Sequence, residues 1–196
     1  MVQRDFTNAP ITKLGFTVTP VTTAHFDLIA GDISAADRHD LGRTWRQDWR
    51  EELQATLQNA TEAYMFHNDD FPFAGVFGVT AQTEGLAIAW MLQSATFLNG
   101  AEAALGPGWP VKFTAMTRQQ VRHFLIDYST FFNFIPVSQT RNIRWLTGCG
   151  FTFHTHPEIE TDMRLFTLGP EGDRIAADPA FWADYLGTDF ADSWGD

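Results

Sequence analysis

Four groups of residues have types and spacings that suit chemistry. His154 and His156 stand two apart in an alternating stretch, so their rings face one side and could share a metal ion with Glu158 or Asp162. Two histidines without a clear third ligand leave that set incomplete. Glu84 comes just before the apolar run 86–92 (LAIAWML), where a general base could sit, although a solvated turn residue has the same appearance. Gly106-Pro107-Gly108 holds two glycines that would let backbone approach a phosphate, and Lys112 and Arg118 follow close enough to meet its charge. Pro107 and Pro110 remove N–H donors from that cradle, and the two cations suit an exposed polar face equally well. Cys149, the single cysteine, sits between Gly148 and Gly150 and reads as a small buried thiol. It excludes an intrachain disulfide, and zinc-type cysteine spacings are absent. No G-x-S-x-G elbow, P-loop or H-E-x-x-H occurs.

The elements that must position these residues centre on the stretch 132–153 (FNFIPVSQTRNIRWLTGCGFTF). Phe132, Phe134, Ile135 and Val137 read as a buried strand broken near Pro136. Ser138 or Thr140 then caps a short helix with Ile143 and Leu146 on its apolar stripe and Arg141 and Arg144 on its polar side. Gly148 and Gly150 stop it, and Phe151, Phe153 and Thr155 alternate as a further strand. Upstream, residues 1–13 read as an extended arm, and Phe16 and Val18 begin a first strand. Short helices carry Phe26, Leu28 and Ile29, then the sequence ADRHDLGRT, then Trp49, Leu53 and Leu57 within 45–60. Strands are expected at 63–66, at 71–80, where Gly75 and Gly78 suggest a bulge or close backbone approach, and at 86–92. A long helix is expected over 114–131, with Val121, Phe124, Leu125 and Tyr128 on one face, and a last strand over 163–168. The tail 169–196 interleaves aspartates with Phe181, Trp182, Tyr185 and Trp194, either packing on its own domain or anchoring a neighbouring subunit.

A chain of 196 residues supports one domain with a sizeable core. Its eighteen Phe and seven Trp make aromatic packing the expected core chemistry. The net charge of −11 disfavours non-specific binding to nucleic acid or an anionic membrane, because both require a basic footprint. No apolar run reaches the ~20 residues a membrane span needs.

The 132–153 unit resembles the closing block of the GNAT fold of N-acetyltransferases, an amphipathic helix followed by Gly-Phe and a strand. More closely, IRWLTGCGFTF looks like the signature of a GNAT-like phage family that includes the internal virion protein A of podoviruses. AYMFHND, GVFGV, AWML and Phe113-x-x-x-Thr117-Arg118 resemble further blocks of that family in order, so the likeness covers about 14–168. Its signature positions here are Trp90, Phe113, Arg144, Trp145, Leu146, Gly150 and Phe151. The resemblance implies an α/β fold: a GNAT-like mixed, mostly antiparallel twisted sheet of about six or seven strands flanked by helices. The implied layout is an arm at 1–13, the domain at 14–168 and an acidic aromatic tail at 169–196.

The GNAT resemblance also implies where catalysis would sit, and there the chain departs from it. The family's loop after the central strand, Arg/Gln-x-x-Gly-x-Gly/Ala, cradles the pyrophosphate of coenzyme A, and no such text stands here. The helix tyrosine that protonates the leaving thiolate falls on Leu146, and the nearby asparagine falls on Gln139. The reading this implies is a non-catalytic, virion-associated protein that contacts other virion proteins or itself, made in a bacterial host cytoplasm, with no cofactor and no catalytic residue. The alternative is an acyl-coenzyme A-dependent N-acyltransferase for a protein or small amine, with acetyl-coenzyme A as donor and Lys112 and Arg118 near its phosphates.

Overall fold

Alternating burial builds the sheet. In β2 (Glu62–His67), Tyr64 and Phe66 point to one face while Ala63 and Met65 point to the other, and all four are buried. A strand buried on both faces must lie inside a layered structure. The computed structural model describes residue 6 and residues 10–44, 48–155, 162–178 and 180–182. These form one seven-stranded sheet in the order β1-β2-β3-β4-β5-β7-β6, with β1 at Thr17–Pro20, β3 at Gly75–Thr83, β4 at Leu86–Gln93, β5 at Thr130–Pro136, β6 at Thr152–His154 and β7 at Met163–Leu168. Every pairing is antiparallel except β4 with β5. The mixed, mostly antiparallel α/β sheet expected from the sequence is the one observed.

Helices cover both faces. On one lie α1 (Phe26–Asp32), α2 (Ala35–Thr44) and α3 (Trp49–Asn59), whose Ile29, Leu53 and Leu57 pack with Ile33 against Met65, Val76 and Leu92. On the other lie α4 (Ala95–Leu105), α5 (Trp109–Phe124) and α6 (Thr140–Cys149), which bring Phe97, Phe113 and Leu146 onto Phe66 and Phe131. Aromatic rings carry this second layer: Phe97 meets Phe66 at 5.9 Å and Phe71 at 5.4 Å, both edge-on.

Several boundaries differ from the sequence reading. Residues 95–105 are helical because Ser94 Oγ accepts from Phe97 N at 2.9 Å and because Phe97 and Ala101, one turn apart, are both buried. The helix expected over 114–131 starts instead at Trp109, where Pro110 is tolerated in the first turn, and ends at Phe124. The third strand begins at Gly75, not at residue 71. Gln139, whose side chain makes no capping hydrogen bond, precedes α6, so neither Ser138 nor Thr140 caps it. Gly148 lies inside α6, and only Gly150, at φ +104°, ends it. The helix expected over 45–60 begins after Asp48, whose side chain accepts from Arg50 N at 2.7 Å; Trp45 lies outside the described residues.

The tail's first aromatics pack on their own domain. Trp182 is fully buried, 5.9 Å from the ring of Phe132 and 5.5 Å from that of Phe134, and Phe181 stands edge-on to Phe132 at 5.6 Å. Their rings join the core with Leu165 and Ile175. Tyr185 and Trp194 lie outside the described residues.

Close approach explains Gly78, while the bulge in β3 falls between Ala81 and Thr83. A Cβ at Gly78 would stand 2.4 Å from Cζ2 of Trp90 and 2.6 Å from the carbonyl oxygen of Glu62. Gly78→Ala should therefore destabilise the fold by on the order of 1–3 kcal/mol. Urea unfolding of the variant reads this directly, and an unchanged midpoint would contradict the packing described.

Candidate functional site

The site arises where the one parallel strand pair comes apart. β4 and β5 are in register only at Leu86–Thr130, Ala87–Phe131 and Ile88–Phe132. Past Ile88 the strands separate, and Asn133 bridges the start of the gap by donating from Nδ2 to the carbonyl of Ala89 at 2.9 Å. A cavity of about 500 Å³ opens between them, lined by both helical layers. The alternation of the ladder fixes which β4 groups face it. Ser94 N donates across to β3, at Ala74 O, whereas Gln93 N and the carbonyls of Gln93 and Ala89 all point to the β5 side. Met91, between them in the same phase, presents its N–H and C=O to the cavity.

One wall is acidic. Asp37 and Asp40 of α2 and Glu52 of α3 line the cavity from the α1–α3 layer. Asp37 is 8% exposed, and its Oδ2 accepts from Gln93 N at 2.8 Å and from Ser34 Oγ at 2.7 Å. Its Oδ1 has no hydrogen-bond donor among the described residues. Burial pushes the Asp37 carboxyl up to about 6; the two donors oppose the rise, and the charge of Asp40 adds to it. Asp40 Oδ2 accepts from Gln139 Nε2 at 2.9 Å, tying α2 to the start of α6.

The opposite wall is apolar with two polar exceptions. Phe113, Met116, Leu146 and Phe151 line it, together with Gln120 of α5 and Trp145 of α6. The Trp145 ring stacks on Phe113 at 5.9 Å. Gln120 Nε2 and Trp145 Nε1 are buried donors without a hydrogen-bond partner among the described residues. Buried donors are costly to leave unpaired, so an acceptor atom of a ligand would be stabilised there.

At the carboxyl end of β4 the cleft is bordered by the chain itself. Ile33 bridges Ser94, and Ser34 N donates to Gln93 O at 2.8 Å, so the segment after α1 lies along β4 where β5 has left it. Asp32 reaches the start of α4. Its Oδ1 accepts from Thr96 N at 3.2 Å and from Thr96 Oγ1 at 2.8 Å, and its Oδ2 accepts from Ser94 Oγ.

Residues singled out from sequence fall in several places. Trp145 and Leu146 line the cavity, and Leu146 is 8% exposed with no proton to donate. Trp90 also lines it and donates from Nε1 to Thr80 Oγ1 at 3.3 Å. Phe151 packs edge-on against Phe166 at 5.2 Å, and Arg144 is exposed on α6. Arg118 donates from Nε to the carbonyl of Gly148 at 2.9 Å, capping α6, and Lys112 is exposed in the first turns of α5. The Gly106–Gly108 turn forms no cradle: Gly106 N donates to Glu102 O, Trp109 N donates to Gly106 O, and Trp109 is buried against Phe97 and Phe113. Glu84 is exposed in the β3–β4 turn and does not line the cavity. The Cys149 thiol is buried and pushed up to about 12, far from a nucleophile's range. His154 contacts Thr167 Oγ1 at 2.7 Å, and burial lowers its pKa; His156 and Glu158 lie outside the described residues, among which no group of three metal-ligating side chains occurs. Asp37, Asp40, Glu52, Gln120 and Asn133 carry no motif that would have marked them in sequence.

No protein-family model matches the chain, and no curated protein matches it in sequence. Among solved structures, the fold is similar to spermidine N-acetyltransferase of Vibrio cholerae in complex with coenzyme A and spermine, at a TM-score of 0.54 and 10% identity over 78% of this chain and 94% of that one. A point mutant of that enzyme gives a TM-score of 0.52 at 10% identity, over 84% and 98%. An IAA acetyltransferase of Bacillus cereus gives 0.49 at 11% identity, over 78% and 98%. At such identities the likeness is one of fold, and the fold is GNAT-like. No helix among the described residues is long and apolar enough to cross a membrane.

The position of Asp37 sets a pH dependence of unusual sign for a carboxylate. Its folded-state pKa, about 6, lies above the ordinary 3.8, so the folded chain holds the proton more tightly than the unfolded one. The stabilisation this gives is complete below about pH 4 and lost as pH rises through about 6. Asp37→Asn removes the titration, so between pH 4 and pH 7 the variant should gain on the order of 3 kcal/mol relative to wild type. Urea unfolding of both proteins at the two pH values checks this, and parallel pH profiles would contradict it.

Proposed function

We propose that the chain is an acyl-thioester-dependent N-acyltransferase acting on a cationic amine. The observation that carries this reading is the cavity at the β4–β5 divergence, which joins an apolar wall to an acidic one through the sheet. A thioester arm fits the apolar side, where the Met91 edge offers strand-like hydrogen bonds and Gln120 and Trp145 offer donors to carbonyl oxygens. An amine fits the other side, because Asp37, Asp40 and Glu52 favour positive charge. A polyamine, the substrate class named for the similar enzyme of Vibrio cholerae, matches three carboxylates.

In the reaction the amine nitrogen bonds to the thioester carbonyl carbon and the carbon–sulfur bond breaks. Asp37, ionised above pH 6, takes the proton the amine must lose, and the free Oδ1 is the atom available for it. With Leu146 at the helix position, the sulfur leaves as a thiolate and collects its proton from water. The experiment is an acyl-transfer assay with spermidine as acceptor and acetyl-coenzyme A and S-acetyl-pantetheine as donors. We expect kcat/KM to rise with pH through about 6 and Asp37→Asn to lower it by about 10²- to 10⁴-fold. A folded protein that transfers nothing from either donor would overturn this reading.

A second reading keeps the scaffold and drops the chemistry: a virion-associated protein of a phage, made in a bacterial host and contacting other virion proteins or itself. The observation favouring it is that the leaving-group position holds Leu146 and the Gly106–Gly108 turn forms no phosphate cradle. Detection of the chain by mass spectrometry in purified virions, together with the absence of acyl transfer, would select it.

A further inference from the structure

The start of α4 carries a charge that bears on which thioester the cleft accepts. α4 follows β4 directly, so its N-terminus stands beside the carboxyl end of the open strand edge. In sheets of this kind ligands lie at the carboxyl ends of strands that part, and a helix N-terminus there ordinarily stabilises an anionic group. Here the position is taken by the chain's own carboxylate. Asp32 accepts from Thr96 N, Thr96 Oγ1 and Ser94 Oγ, while Ser94 Oγ in turn accepts from Phe97 N. Asp32 is locked there by its own backbone, since Ile33 bridges Ser94 and Ser34 donates to Gln93. A ligand diphosphate leaving the cleft at this end would meet a fixed negative charge in place of free N–H donors.

Resting on the acyltransferase reading, we infer that the acyl donor is a thioester on an uncharged pantetheine-like arm, and that Asp32 excludes the diphosphate of coenzyme A from the start of α4. The cavity itself fits an uncharged arm: its inner wall is apolar, and its unpartnered polar groups there are the neutral donors of Gln120 and Trp145. At the next helix Arg118 is engaged with Gly148 and Pro110 removes a donor from the first turn of α5, which leaves the exposed Lys112 as the one cation of its first turns. Asp32 acts by charge and by occupying donors; it is a specificity-determining residue and not a catalytic one.

Calorimetric titration of the full chain with S-acetyl-pantetheine, S-acetyl-4′-phosphopantetheine and acetyl-coenzyme A tests this. For wild type, S-acetyl-pantetheine should bind at least as tightly as acetyl-coenzyme A. Asp32→Asn, which keeps the shape and one acceptor, should tighten acetyl-coenzyme A by about tenfold and leave S-acetyl-pantetheine unchanged, a like-charge contact being removed. Wild type that binds acetyl-coenzyme A about tenfold or more tighter than S-acetyl-pantetheine overturns the inference while the acyltransferase reading stands. An unchanged ratio of the two affinities in a folded Asp32→Asn protein also overturns it. Binding of none of the three overturns both.

Discussion

β4 and β5 exchange backbone hydrogen bonds over three residue pairs and then part, and the rest of the molecule is arranged around that divergence. A strand edge buried inside a sheet must find partners for its N–H and C=O groups. Three substitutes for the backbone of β5 do this along β4. The Asn133 amide takes the carbonyl of Ala89, the Asp37 carboxylate takes the N–H of Gln93, and the Ser34 N–H takes the carbonyl of Gln93. Met91 lies between these contacts with its backbone groups toward the cavity. The same set of bonds explains why α1 and α2 sit where they do: they carry the segment that repairs the end of β4.

Because one of these substitutes is a carboxylate, the edge acquires charge. Asp37 is drawn into a buried place by the N–H it satisfies, and its burial raises its pKa into the range where a carboxyl exchanges protons near neutrality. Asp32 is held on the α4 terminus by the neighbouring bridge of Ile33 to Ser94. One face of the cleft is therefore acidic and suited to an amine, and the anion position at the mouth is filled from within. The GNAT-like scaffold is retained, and its electrostatics differ from those the family resemblance implies for a coenzyme A cradle.

Much of the fold was legible because the signals are local. Alternation in AYMF and MRLFTL, the Trp49–Leu53–Leu57 stripe and the glycine after Cys149 each report their own element. α4 was not legible: ATFLNGAEAAL contains Asn99 and Gly100, and its helix depends on the Ser94 cap and on Phe97 meeting five aromatic rings from elsewhere in the chain. The limits of α5 were hidden for a related reason, since Tyr128 and Phe131 continue its apolar period but belong to the following turn and strand. The site was legible at Trp90, Phe113, Trp145, Leu146 and Phe151, where family text marked residues that line the cavity. Asp37 sits in a polar helix with no motif, and nothing in sequence pairs it with Gln93, 56 residues away.

The central claim is that the open edge of β4 is a thioester site, and hydrogen exchange at the Met91 amide tests it most directly. With S-acetyl-pantetheine added to saturation, protection should rise at Met91 while the amide of Gln93, already donated to Asp37, changes little. Unchanged exchange at Met91 under binding conditions, with protection appearing elsewhere in the chain, would show that the divergence of β4 and β5 is not where the donor lies.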